Sequence, residues 1–151
     1  MVVCTFSLVA CIALPGDPMP RPVGIGRADD GRIRFIVALC AGERLSSFQV
    51  TDHQTEQLIW AVSRPVDAMG KGRQITLGDV RGFEALEVPL PPELPENIDA
   101  TARLADGRSF GSAFVITEIS PDLAGAQRVL GIERVEISEN EFFEEIDDGF
   151  C

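Results

Sequence analysis

Four cysteines, one histidine and a run of carboxylates are the side chains here whose types could do chemistry. The cysteines stand at positions 4, 11, 40 and 151 with no C-x-x-C pair, and only one histidine accompanies them, so the spacing a zinc site needs is missing. His53 lies in Thr51-Asp52-His53-Gln54, a polar group that reads as a turn, and no G-x-S-x-G elbow or other nucleophile signature surrounds any Ser or Cys. A solvated loop histidine is therefore expected, with no catalytic residue, no metal and no cofactor. Gly24-Ile25-Gly26 lacks the third glycine of a dinucleotide loop. Gly70-Lys71-Gly72 lacks the glycine spacing and the Ser/Thr of a phosphate loop, so both glycine pairs read as turns.

The carboxylates are concentrated near the end of the sequence. Glu133, Glu136, Glu139, Glu141, Glu144, Glu145, Asp147 and Asp148 face only Arg134, a local net charge of -7 within a total of -11. Their spacing departs from the EF-hand loop, whose oxygen ligands alternate around a central glycine, so a solvated helix face is expected. With 24 Asp+Glu against 13 Lys+Arg and no basic run, the chain has no surface that would draw a polyanion, and nucleic acid is excluded as a partner. An apolar fraction of 45% is enough to bury a core, and 151 residues fit one domain.

The elements that must position these residues are mostly strands. From Arg32 to Cys40 the odd positions Ile33, Phe35, Val37 and Leu39 are apolar while Arg32 and Arg34 point the other way, the pattern of a half-buried strand. Similar runs follow at Leu45 to Thr51, Leu58 to Val62, Gln74 to Leu77, Phe83 to Val88, Ile98 to Leu104 and Ser109 to Ile116, each bounded by turn formers. Asp30-Gly31 and Asp106-Gly107 suit tight hairpins, which explains the likeness of ADDGRIRF to LADGRSFG without a duplication. Ser138-Glu139-Asn140-Glu141 has a capping-box pattern. It predicts a short helix with Phe142, Phe143 and Ile146 on one side and Gly149 at its end. Trp60 alternates with Leu58 and Val62 and is placed in the core.

At the start, Met1 to Leu14 carries no charged side chain, and Pro15 to Pro22 supplies four prolines, which favour an extended spacer. Within the first segment, Leu8-Val9-Ala10-Cys11 resembles the lipobox of bacterial secreted lipoproteins. That resemblance implies a signal over 1–14, lipid attachment at Cys11, and a Pro-rich linker over 15–22 that holds a single domain, 23–151, off the membrane. An ordinary signal cleaved near Ala13, or a buried first strand in a cytosolic chain, are the other readings of the same residues. If Cys4 leaves with the signal and Cys11 takes the lipid, Cys40 and Cys151 remain as an even pair that an oxidising compartment would bridge. The alternative is a small buried Cys40 and a free Cys151 thiol.

The expected fold is mainly β: an antiparallel β-sandwich of immunoglobulin-like architecture with a short C-terminal α-helix. The likeness stops at architecture, because the Cys40 to Trp60 interval is long for immunoglobulin domains and the chain has no Tyr for their tyrosine corner. The function expected is that of a non-catalytic binding module. It would be lipid-anchored on the extracytoplasmic side of the cell membrane, face an envelope protein partner, and present the loops Gly42 to Arg44, Asp52 to Glu56 and Pro65 to Arg73. The alternative is a cytoplasmic regulatory or immunity-type inhibitor whose acidic tail neutralises a basic partner.

Overall fold

The computed structural model describes residues 19–66 and 72–151. The lipobox-like Leu8 to Cys11, the signal assigned to 1–14, the first half of the Pro-rich linker and part of the Pro65 to Arg73 loop lie outside the described residues. Ten strands are described, β1 (Gly24–Arg27), β2 (Ile33–Ala38), β3 (Leu45–Asp52), β4 (Leu58–Pro65), β5 (Gly72–Thr76), β6 (Phe83–Val88), β7 (Asn97–Leu104), β8 (Ser109–Val115), β9 (Arg128–Leu130) and β10 (Glu136–Ser138), followed by helix α1 (Glu139–Phe150). They form two five-stranded sheets in the orders β10-β9-β1-β2-β5 and β6-β4-β3-β7-β8. Every pairing is antiparallel.

The two sheets bury a common core. Ile25, Phe35, Val37 and Ile75 of the first sheet share it with Phe48, Val50, Trp60, Val62 and Ile98 of the second. The rings of Phe35 and Phe48 lie 5.1 Å apart, and Trp60 meets Phe48 edge-on at 6.3 Å, so the aromatic centre bridges the sandwich.

The predicted half-buried β2 is buried on both faces, all six residues of it. Its even positions Ile36 and Ala38 face away from the sandwich core and pack with Val129, Phe142 and Ile146, because α1 lies across the outer face of the first sheet. The molecule is thus a sandwich with a third, helical layer on one side. The capping box behaves as its sequence indicates: the Ser138 hydroxyl accepts from the Glu141 amide, and the Glu141 carboxylate accepts from the Ser138 amide. The helix does not stop at Gly149. It continues to Phe150, where the next residue is covalently held.

Gly24-Ile25-Gly26 is part of strand β1 and not the turn expected from its glycines. A Cβ at Gly26 would approach the Arg128 carbonyl oxygen to 2.7 Å, so glycine is what admits β9 so close to β1. Both Asp-Gly hairpins form with the same hydrogen bonds. Gly31 (φ 83°) donates to Ala28 O and Gly107 (φ 91°) donates to Leu104 O. In each, the Asp accepts from the backbone amide and the guanidinium of the Arg two residues on, Asp30 with Arg32 and Asp106 with Arg108. Asp79 and Arg81 repeat that staple in the β5–β6 connection. The shared tetrad chemistry accounts for the local sequence likeness.

Because Phe142 is fully buried between α1 and the sheet, Phe142→Ala is expected to cost about 3–5 kcal/mol in urea unfolding followed by Trp60 fluorescence. Val135→Ala, at a residue 54% exposed, is expected to change stability by less than about 0.5 kcal/mol.

Candidate functional site

The disulfide and the most enclosed ion pair of the described chain meet at one corner of the sandwich. It is built by the β2–β3 turn, the β7–β8 hairpin, the segment before β1 and the end of α1. Cys40 follows β2 and is disulfide-bonded to Cys151, which follows α1; their Cα atoms are 5.4 Å apart across 111 residues of sequence. The turn after Cys40 closes by the Glu43 amide donating to Cys40 O, with Gly42 at φ 81° supplying the left-handed position. Arg44 O accepts from the Ala105 amide, which fastens that turn to the β7–β8 hairpin.

Inside the corner lies a buried ion pair. Arg21 donates to both carboxylate oxygens of Glu43, at 2.5 and 2.8 Å, and the two side chains are only 9% and 8% exposed. The Arg21 guanidinium also sits 4.4 Å from the centroid of the Phe110 ring. Glu43 accepts two further hydrogen bonds, from the Cys40 amide at 2.8 Å and from Arg108 at 3.0 Å. The Arg21 hydrogen bonds, more than any other contact, hold the Glu43 carboxyl down at about 2; the Cys40 amide and the positive charges of Arg21 and Arg108 add to this against the opposing effect of burial. One carboxylate thus joins the start of the domain, the β2–β3 turn and the β7–β8 hairpin.

Two recesses flank this pair. One, of about 390 Å³, lies between the Ala41 to Arg44 turn and the Leu104, Asp106 and Arg108 hairpin, so the sequence-predicted loop Gly42 to Arg44 does line a concavity. The other is an open groove of about 770 Å³ whose walls include Met19, Ile132, Glu145, Asp148 and Phe150.

His53 sits at the other end of β3 from this corner, beyond Asp52. It is an exposed turn residue, and its Nδ1 lies 2.9 and 3.0 Å from the two oxygens of Asp99 on β7. The structure therefore separates the sequence-predicted loop residues 42–44 and 52–56 and brings Cys40 and Cys151 together. Sequence reasoning missed Arg21, Glu43 and Arg108. Arg21 stood in a run read as spacer, and nothing local to Glu43 marks it as the partner of a residue 22 positions earlier. Among the described residues no group of three or more His, Cys, Asp or Glu surrounds a common metal position. Comparison with protein-family models, curated proteins and solved structures returned no match, so the corner is interpreted from its own chemistry.

Glu43 has its carboxyl pKa lowered by folding, so it contributes stability that is fully present above its unfolded value of 4.5 and is lost as pH falls toward about 2. Wild type is expected to lose on the order of 2–3 kcal/mol across that window through this group. Glu43→Gln should already be less stable at neutral pH, because it leaves the Arg21 charge buried without a counter-charge, and should show a shallower acid slope in urea titrations at stepped pH. Removing the bridge with Cys40→Ser/Cys151→Ser is expected to cost up to about 4–5 kcal/mol in the chain-entropy account. Amide exchange should then quicken in α1 before it quickens in β3 or β7.

Proposed function

We propose that the protein is an exported, lipid-anchored β-sandwich module of the cell envelope that works by binding and not by catalysis. The observation that carries this is the Cys40–Cys151 bridge, because a structural disulfide persists in oxidising compartments and is kept reduced in most cytosols. Among the described residues no helix is long and apolar enough to cross a membrane, so attachment in this account comes from acylated Cys11. Arg21 follows Cys11 by ten residues. At an upper limit of about 3.6 Å per residue, the ion-paired corner would lie within roughly 35 Å of the lipid surface. The eight residues of β3 then carry the Asp52 to Glu56 turn and His53 roughly 25 Å further along the sheet. Binding loops are accordingly available at both ends of the same strand, one near the anchor and one displayed away from it.

A cytosolic acidic binder is the other reading. The feature favouring it is α1, which carries six carboxylates and has no basic residue in its last turn. Intact mass on membrane and soluble fractions of the native host separates the two. The export reading expects a membrane species beginning at Cys11 with added acyl mass, lighter by two hydrogens than its free-thiol form. A soluble species retaining Met1 with four free thiols would overturn it.

A further inference from the structure

The groove at the end of α1 has a definite chemical character. Its apolar surface comes from Met19, which is 61% exposed, and from Ile132 and Phe150. Glu145 and Asp148 stand on its wall, exposed and without an ion-pair partner among the described residues. Arg21 also lines it, but its charge is already spent on Glu43 through two hydrogen bonds. The helix end adds the negative pole of its dipole, and the last turn holds no Lys, Arg or His to offset it. An open apolar trough under a net negative field selects for an occupant that is apolar and cationic together. A volume of about 770 Å³ admits a few side chains of a peptide.

We propose that this groove is the docking site for a basic segment of a partner protein, in which Arg or Lys alternates with aliphatic residues. The aliphatic side chains cover Met19, Ile132 and Phe150, and the cations pair with Glu145 and Asp148. The disulfide belongs to the site, because Cys151 is bonded to Cys40 immediately after Phe150 and so sets the position of the wall that Gly149 and Phe150 form. The proposal rests on the reading of the protein as a binding module, and it specifies the chemistry of the partner.

The test uses the full chain with its bridge intact and two synthetic peptides, acetyl-Leu-Arg-Leu-Arg-Leu-amide and its Leu-Glu counterpart. Calorimetric titration should give saturable binding of the Arg peptide that weakens as salt is raised, and none of the Glu peptide. Glu145→Gln/Asp148→Asn should weaken binding by about tenfold or more, while Glu84→Gln/Asp122→Asn, the same charge change elsewhere on the surface, should leave it unchanged. Equal losses in the two double variants, or no binding of the Arg peptide, would overturn the proposal. A photo-crosslinking residue at Phe150 identifies the occupant: crosslinks to the Arg peptide support the assignment. Crosslinks mapped to residues 1–18 of the same chain, to a second copy or to lipid, with no transfer to added peptide, overturn it. Failure of the fractionation experiment would remove the export reading while leaving these titrations as they stand.

Discussion

A sheet with two apolar faces has to be covered twice, and the rest of this structure depends on how that is done. Phe35 and Val37 of β2 face the sandwich core while Ile36 and Ala38 face outward, so without α1 an interior strand of the first sheet, paired with β1 and β5, would present its second face to water. One amphipathic helix of 12 residues supplies the cover, with Phe142 and Ile146 as its fully buried contacts. A helix that short is marginal in isolation, and this one carries Asp147 and Asp148 in the turn where the dipole disfavours negative charge. Its first turn is secured by the capping box and by Glu139, which accepts from Arg34 and from Gln74 across the sheet. Its last turn has the bridge. Covalent attachment at the weak end replaces what propensity and charge do not supply.

The same corner also solves the problem of where the domain begins. A chain end is free to fray unless something ties it down. Here Arg21 is drawn out of a Pro-rich stretch into a site already formed by Glu43, Phe110 and the Ala38 carbonyl. Burying that pair costs desolvation, which is offset only because the carboxylate accepts four hydrogen bonds in near-complete geometry. The Arg21 side chain is not entirely satisfied, since its Nε has no partner. The pair therefore contributes more to fixing the position of the segment than to net stability. The Cys40 amide is one of the donors to Glu43, so the bridge and the ion pair share a backbone turn and hold it from two sides.

How much of this was legible in the sequence follows from which interactions are local. Period-two alternation found β3, β4, β6, β7 and β8 within a residue or a few at their ends, most plainly for β3 and β7, where buried residues alternate with more exposed ones. It misjudged β2, where Ile36 and Ala38 fill the polar positions of the pattern because of a helix more than 100 residues away. It missed β1, β9 and β10, which are three or four residues long, and the two glycines of β1 read as punctuation. The capping box and the Asp-Gly turns were legible because all their hydrogen bonds fall within a few positions. The Cys40–Cys151 pair came from cysteine parity and a supposed compartment, not from any spacing. The Arg21–Glu43–Arg108 cluster had no local signature at all, as a long-range ion pair leaves none.

Two groups of carboxylates in this acidic chain have different consequences. Asp30, Asp79 and Asp106 each serve the Arg two residues on, and Glu43, Glu139 and Glu141 serve guanidiniums or a helix cap. The carboxylates of Asp30, Glu43, Asp79, Asp106 and Glu141 are stabilised in the ionised form, Asp79 to about 2 chiefly through its hydrogen bonds with Arg81. These charges organise turns and are largely neutralised where they stand. Glu145 and Asp148 have no such partner, and they lie at the helix end where the dipole adds to their field and where an apolar trough opens beside them. A net charge of -11 would be unremarkable if spread evenly as a solubility device. Placing two uncompensated carboxylates beside an apolar groove, next to the covalent pin that fixes its wall, is an arrangement that folding does not require and that recognition of a cationic surface would.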